Sequence, residues 1–513
     1  MDSLRTPGKT SRWHAAMLGG LSWPTSHSSA QDMFAYRSDE GLVVHDGSTF
    51  EIPGQLAMGD YWKIQNEKDR RLYSLIEAFA QNNGQLGVSD ARYANALKII
   101  IQAFTPLQYC THRSFAHVGR QVHGDALRLA CQIQSLDSLR HFQIHSHAFS
   151  HFNKYFSGLN YAPQWFDQAW YLAPAKSFAD DVASAGPMES LVAINFCWQG
   201  LFGSLLNVSL MSGAARNGDL CTANTGYSTG SDATRHIAVG VALIQFLAAQ
   251  DPANLPILQA WIDKWFWRSF RLMSLVAMAQ DYMLTKHGSS WQDHWQQDVE
   301  AVGAARFADL AASGLRLPAG WADACAAKAH LSHQTWNGFY GHSSSTAFHT
   351  WVPNDDELNW LHFKYPDSFN KYYRPRLEYY RAQQAAGRRW HSRGRPMLCR
   401  TCHFPTWFTQ PGQPRWLAPI EAEVAGQAEH FCSRHCRDIF LREPTKYRQS
   451  LPRVQQLLAA QASGMGLEFN AFGGADAHID TPGGASGGEF LDSADDQHFR
   501  AWGGGQNPAE GRL

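Results

Sequence analysis

The stretch GSDATRHIAVG, residues 230–240, decides how this chain is read. Its centre, DATRH at 232–236, repeats a unit met earlier as DSLRH at 137–141. Both units place an aspartate, an arginine and a histidine in the order Asp-x-x-Arg-His, inside long segments of helical periodicity. A helix that offers a metal pair an imidazole normally offers a carboxylate three residues earlier, because residues three apart share a helix face. That place holds Ser138 in one unit and Ala233 in the other. The histidines are kept without the carboxylates, and the function turns on why.

Outward from these units the apolar spacing predicts helices near 61–82, 90–123, 126–157, 188–213, 230–250 and 261–284. The last, WIDKWFWRSFRLMSLVAMAQDYML, is apolar almost all round and is expected to lie deep in a core. NYAPQ and SAGP mark breaks, and weaker helical signal runs on to about residue 390. The fold class is mainly α. The two helix pairs that carry the histidines look like a duplicated half. Residues 1–55 read as an irregular N-terminal arm, 56–386 as the helical domain, and 387–397 (GRRWHSRGRPM) as a basic linker. A small cysteine module is expected at 398–455. Residues 470–513 are Gly-rich with few aliphatics and cannot bury enough surface to offset ordering entropy, so a disordered tail is expected.

The bulk numbers exclude several classes. With 44 basic and 45 acidic residues among 513, the net charge of −1 gives no field that would gather nucleic acid. Nineteen tryptophans argue for an interior filled by large rings. No run of eighteen apolar residues exists, so no membrane span is expected. Arg5, Lys9 and Arg12 ahead of AAMLGGLSW sketch a secretory signal, but the apolar part is short and broken by two glycines, so a cytoplasmic chain is expected. Cys110, Cys131, Cys197, Cys221 and Cys325 sit among apolar neighbours and read as buried free thiols of a reducing compartment.

The other four cysteines form one pattern. Cys399-x2-Cys402 is followed, after 29 residues, by Cys432-x3-Cys436. Two close thiolate pairs can surround a tetrahedral Zn²⁺, and four sulfurs close the site, so the zinc would be structural. His403 and His435 lie near enough to compete as ligands. Four unrelated thiols, or a redox role for the first pair, are the competing readings; no thioredoxin-like βαβ pattern surrounds that pair.

Several longer stretches carry a family resemblance. They include EAFAQNNG (77–84), SDARYANALK (89–98), FAHVGRQ (115–121), YLAPAKSFADD (171–181), LMSGAARNGD (210–219), WIDKWFWR (261–268), FHTWVPNDDELNW (348–360), KYPDSFNKYYRPR (364–376), HFCSRHCRDIF (430–440) and EPTKY (443–447). From about residue 58 to 455 the chain resembles the large (α) subunit of the multicomponent phenol hydroxylases, among the bacterial di-iron monooxygenases of phenol, toluene, alkenes and methane. The resemblance implies a ferritin-like helical core with additional helices and a small C-terminal zinc-binding module of four cysteines, of YHS or treble-clef type. It implies NAD(P)H-dependent hydroxylation in aromatic catabolism. The implied partners are a β subunit, a small coupling protein and a flavin/iron–sulfur reductase, within a hetero-oligomer.

Carried over residue by residue, the resemblance fails at the metal. The family's first glutamate falls on Gln108 and its first Glu-x-x-His on Ser138–His141. The third glutamate falls on Gln199 and the last Glu-x-x-His on Ala233–His236. The family's active-site threonine falls on Gly203, the polar amide after it on Ser204, and the glutamine before the last motif on Gly230. Asp137, Arg140, Asp232 and Arg235 are kept, where the resemblance implies aspartates that accept the histidines' second N–H.

Three readings stay open. In the first, His141 and His236 are core histidines, each satisfied by the aspartate four residues before it, and the chain is a non-catalytic scaffold or regulator without di-iron. In the second, two to four of Asp137, His141, Asp232, His236 and His112 re-ligate a single Fe, Cu or Zn and run an altered oxidation or a hydrolysis. In the third, ordinary ring hydroxylation proceeds through a site not located. Asp125 and Glu189 have no partner at Glu-x-x-His spacing, and His117, His123, His145, His147 and His151 are expected on packing or subunit faces.

Overall fold

The computed structural model describes residues 40–53, 58–88, 91–122, 125–155, 172–284, 291–327, 355–364, 397–406 and 420–449, with single positions at 374, 378 and 385. The arm up to residue 39, the linker before Met397 and the expected tail at 470–513 lie outside the described residues.

Among the described residues, seven helices build the centre: α1 (Met58–Gln81), α2 (Ala91–Gln121), α3 (Asp125–Phe152), α4 (Ala173–Ser184), α5 (Pro187–Arg216), α6 (Leu220–Gln250) and α7 (Asn254–Leu284). Helix α2 lies along α3 and α5 lies along α6; α3 meets α6, and the start of α5 meets α2. The four close into a bundle. Helix α1 packs over α3 and α6, while α7 packs against α5 and α2. Further helices follow at 291–311 (α8), Trp321–Ala327 (α9) and Asp355–Lys364 (α10).

Two of the bundle helices depart from regular α geometry. Pro106 sits inside α2, two residues before Gln108, and removes one rung of its hydrogen-bond ladder. Helix α5 widens into π turns over Val192–Gly203 and again over Ser209–Gly213. Such widenings cluster at functional sites.

Helix α6 starts ten residues before its expected start. The segment CTANTGYSTG has low intrinsic helix propensity, and tertiary packing overrides it. Asp219 caps the helix by accepting from the Thr222 amide at 2.9 Å, and the Tyr93 hydroxyl donates to the same carboxylate at 2.7 Å. Close approach to α5 then needs small residues. A Cβ on Gly240 would stand 2.7 Å from the Asn195 Cβ.

One helix passes the length and composition test for a membrane span without overturning the expectation. Helix α5 is long and apolar enough to cross one, but 72% of its most apolar window is buried inside the protein, which makes it a core helix. Cys110, Cys131, Cys197 and Cys221 are buried free thiols as expected; Cys325 is half-buried.

The cysteine region forms two small hairpins and two helices. Strand β1 (Met397–Leu398) pairs antiparallel with β2 (Pro405–Thr406), and β3 (Ile420–Val424) pairs with β4 (Gln427–Phe431). The turn joining β3 to β4 has Ala425 and Gly426 both at positive φ, the conformation that matches strand twist in a two-residue hairpin. Helices α11 (Arg434–Arg442) and α12 (Pro444–Gln449) follow, and Ser433 caps α11 by accepting from the Cys436 amide. Phe431, Phe440 and Tyr447 join the same buried core as the helical centre.

Candidate metal centre

The bundle brings the sequence-selected positions together as two single residues and two pairs. Gln108 is on α2, Ser138 and His141 on α3, Gln199 in the π stretch of α5, and Ala233 and His236 on α6. One residue from each of two helices and an i, i+3 pair from each of the others is the layout of a carboxylate-bridged metal pair in a four-helix core. The His141 and His236 rings lie 6.5 Å apart between centroids.

The aspartates do not bond the histidines of their own helices. His141 Nε2 donates to Asp232 at 3.0 Å, and His236 Nε2 donates to Asp137 at 3.1 Å. The bonds cross between α3 and α6, which corrects the expectation that each histidine bonds the aspartate four residues before it. Side chains four apart on one helix run parallel; two helices facing each other let each carboxylate reach the opposite ring.

Cations complete this cross. Arg235 donates to Asp137 at 2.7 Å and to Asp232 at 3.0 Å, while Arg140 pairs with Asp232 and with Asp69 at 2.6 Å. Helix α1 adds Lys68 on Asp232 at 2.8 Å, the Tyr61 hydroxyl on Asp137 at 3.0 Å, and Gln65 bridging both aspartates. Three carboxylates thus meet three cations. Burial pushes both Asp232 and Asp137 upward, but the histidine hydrogen bonds and adjacent positive charge more than offset it, so both carboxyls stay below their usual range. Burial also holds His141 below the usual histidine value, which makes it a neutral Nε2–H donor. Tyr61, Gln65, Lys68 and Asp69 are not among the sequence candidates. Their signal is present all the same: polar residues at near-helical spacing on the face α1 turns inward.

None of the unpartnered buried atoms at these positions belongs to a carboxylate. His236 Nδ1, Ser138 Oγ and Gln199 Oε1 are buried and have no hydrogen-bond partner among the described residues. Among the described residues no three histidine, cysteine or carboxylate ligand atoms converge here. His112 does not join the pair as the re-ligated reading needs; its Nδ1 is 3.0 Å from the Ser135 carbonyl and 2.9 Å from the Ser135 hydroxyl. Asp137 and Asp232 bond the Nε2 edges of the rings, away from Nδ1. Two multivalent ions would meet no counter-charge, and uncompensated charge in such a pocket costs several kcal/mol per ion. The residues present do not fit a di-iron pair.

One turn before Ser138 and Gln199, Gln134 and Asn195 exchange reciprocal amide bonds at 2.6 and 2.9 Å, tying α3 to α5. A Cβ on Gly203 would have ordinary van der Waals room, whereas one on Gly230 would crowd the Asn207 amide at 3.1 Å. The Ser204 hydroxyl lies 3.4 Å from the Asp298 carbonyl. Glu189 accepts from Lys264 at 2.9 Å and from the Trp265 indole at 2.8 Å, a structural role.

The four module cysteines do converge. All are buried, with Cys402–Cys432 and Cys432–Cys436 sulfurs each 3.5 Å apart and all four within 4.8 Å of one another. These separations are too long for disulfides and close to the sulfur spacing of about 3.8 Å set by Zn–S bonds near 2.3 Å in a tetrahedron. His403 adopts positive φ in the turn that returns the chain after Cys402. His435 pairs with Asp323 and lies against Trp267, with ring centroids 4.1 Å apart and planes tilted by 39°, instead of joining the sulfurs. Two buried arginines of α7 abut the cluster. Arg268 donates to the carbonyls of Thr401 and Ser177 and to Asp181, and Arg271 lies over the Phe404 ring at 4.0 Å.

Comparison with known proteins agrees with this architecture. Residues 23–251 match the Methane/Phenol/Alkene Hydroxylase family. The chain is 44% identical over 448 residues to the oxygenase component DmpN of phenol 2-monooxygenase from Pseudomonas sp. (strain CF600), covering 87% of each chain. It is 21% identical to the methane monooxygenase component A alpha chain of Methylococcus capsulatus (strain Bath), over 77% of each. The solved structure of xenon-pressurised phenol hydroxylase from Pseudomonas sp. OX1 superposes with a TM-score of 0.74 at 43% identity, over 93% of this chain and 96% of that one. The fold is therefore mainly α and ferritin-like, and the chain belongs to the methane, phenol and alkene hydroxylase family as a homologue of the phenol hydroxylase oxygenase subunit.

Proposed function

We propose that this chain is a non-catalytic α-type subunit of a phenol- or toluene-type multicomponent monooxygenase, acting as scaffold or regulator. The observation that carries this reading is the pair of buried, unpartnered oxygens of Ser138 and Gln199, where no carboxylate is offered, beside a cross of Asp137, Asp232, His141, His236, Arg140, Arg235, Asp69 and Lys68 that is neutralised within the protein. Its carboxylates answer cations that are part of the protein, and the axial positions Gln108, Ser138, Gln199 and Ala233 hold no anion. The cross holds the α3–α6 pairing of the family fold without a metal. In this reading the chain keeps the surfaces of an α subunit and assembles with a β-type subunit, a small coupling protein and an NAD(P)H-dependent reductase, inside the cytoplasm.

The cysteine module supports a second part of the proposal: Cys399, Cys402, Cys432 and Cys436 hold one structural Zn²⁺ in a YHS or treble-clef-like unit. A knuckle hairpin, a second hairpin and a helix carrying the last ligand in its first turn fit that assignment. The closed donor set gives the zinc no reacting position; it would tie the two ligand pairs together.

The deciding experiment is metal analysis of the purified chain together with phenol turnover in the presence of reductase and coupling protein. About one zinc, negligible iron and no catechol support the proposal. A coupled iron pair with turnover would return the chain to the family's usual ring hydroxylation. One iron or copper that disappears in His141→Ala/His236→Ala would establish the re-ligated enzyme instead.

A further inference from the structure

Away from the bundle axis, three metal-binding side chains meet where the end of α1 passes α3. Glu77 comes from α1, and His147 and His151 come from α3. One donor atom from each lies within 4.8 Å of the other two. His147 Nε2 is 3.1 Å from Glu77 Oε1, and the two imidazoles stand edge to face with centroids 5.0 Å apart. Histidines four apart on a helix project from the same face and can grip one ion without backbone movement.

A second observation points to a ligand. His151 Nε2 is buried yet has no hydrogen-bond partner among the described residues. Glu77 is half exposed and His147 partly so, which leaves a path from solvent.

We propose that Glu77, His147 and His151 bind one divalent transition ion at the α1–α3 contact. Two imidazole nitrogens and one carboxylate oxygen suit Zn²⁺, Ni²⁺, Co²⁺ or Cu²⁺, whereas Ca²⁺ and Mg²⁺ require mostly oxygen. Three protein ligands leave the remaining positions to water. The ion would staple α1 to α3, the helices that also share the Tyr61–Asp137 and Gln65–Asp137 bonds. The site thus makes the packing of α1 over the bundle responsive to metal. It is separate from the axial positions and from the four cysteines, and it does not depend on either assignment.

The test uses the full chain with its tightly held metal in place, titrated with Ni²⁺ by calorimetry and by thermal denaturation. The expected result is one saturable nickel equivalent of micromolar affinity and a Tm that rises with nickel concentration. His151→Ala should weaken binding at least tenfold and abolish the Tm response, and Glu77→Gln, on the surface, should weaken it less. Cu²⁺ bound at one equivalent should show two nitrogen ligands by electron paramagnetic resonance, and one in His151→Ala. The proposal is overturned if both variants bind nickel as the unaltered chain does, or if no saturable binding occurs below about 1 mM, a free energy near −4 kcal/mol.

Discussion

His141 on α3 bonds Asp232 on α6 at 3.0 Å, so the histidine of one repeated unit is held by the aspartate of the other, and His236 returns the bond to Asp137. The two Asp-x-x-Arg-His units are therefore one interhelical device. Its charges close on themselves, three carboxylates against three cations.

Truncating one arm of this device should leave partly buried cations short of counter-charge. Asp232 is fully buried and faces Lys68, Arg140, Arg235 and His141, so Asp232→Ala takes from Lys68 its carboxylate, from Arg140 and Arg235 one of two each, and from the His141 ring its acceptor. Breaking a buried pair from one side costs about 3–5 kcal/mol. Asp137→Ala, which faces Arg235 and His236, should cost less. Both carboxyls have depressed values when folded, so their contribution is present above about pH 4 and is lost as pH falls through the folded values. Denaturant titration at pH 7 checks the ranking; a change below about 1 kcal/mol for Asp232→Ala would contradict the network's role.

A second pH dependence should begin at milder acidity. His145 is buried on α3 against Phe149, and burial lowers its value to about 3. Unfolding restores a value near 6.5, so between those limits the unfolded chain binds more protons than the folded one. Stability is complete above about pH 6.5 and falls as pH drops, with a slope near 1.4 kcal/mol per pH unit from this group. His145→Leu should flatten the stability curve between about pH 6.5 and 4.5 by close to that slope. Parallel curves for the two proteins would refute the assignment.

Much of this architecture is legible in the residues alone, because long helices with strong apolar periodicity leave little choice of element type. Helices α2 and α3 end within a few residues of expectation, and the four cysteines converge as their spacing requires. The start of α6 is not legible, since Thr, Ser and Gly at 222–230 mask a helix that Asp219 caps and α5 supports. The crossed bonds are not legible either: spacing on one helix reports which side chains share a face, not which helix lies opposite. Glu77 stays hidden as a neighbour of His147 and His151 for the same reason, being 70 residues from His147 in sequence.

The cysteine module should be bound to the bundle by charge as well as by metal. A tetrathiolate around Zn²⁺ carries a net charge of about −2, and the buried Arg268 and Arg271 of α7 stand beside it. Arg268→Ala removes bonds to Thr401, Ser177 and Asp181 and should destabilise by about 3–5 kcal/mol. Metal removal by a strong chelator should loosen α11 from α7 and free the Trp267 ring that His435 covers. Tryptophan emission should shift red with zinc release on the same time course. Release without any change in emission or Tm would show that the metal does not hold the module.

Placing four carboxylates at positions 108, 138, 199 and 233 is the most demanding test of the charge argument. In Gln108→Glu/Ser138→Glu/Gln199→Glu/Ala233→Glu, four anions face the axis while Asp137 and Asp232 keep orienting the histidines through Nε2. Ser138 is fully buried, so its replacement must displace neighbours, and overpacking of this kind costs about 1–3 kcal/mol. Without iron the variant should therefore be less stable than the parent, with like charges crowded in one pocket. Anaerobic Fe²⁺ should reverse that loss and bind near two equivalents, seen as a Tm that rises with iron in the variant and not in the parent. Iron uptake equal in parent and variant would mean that the anions are not what the pocket lacks.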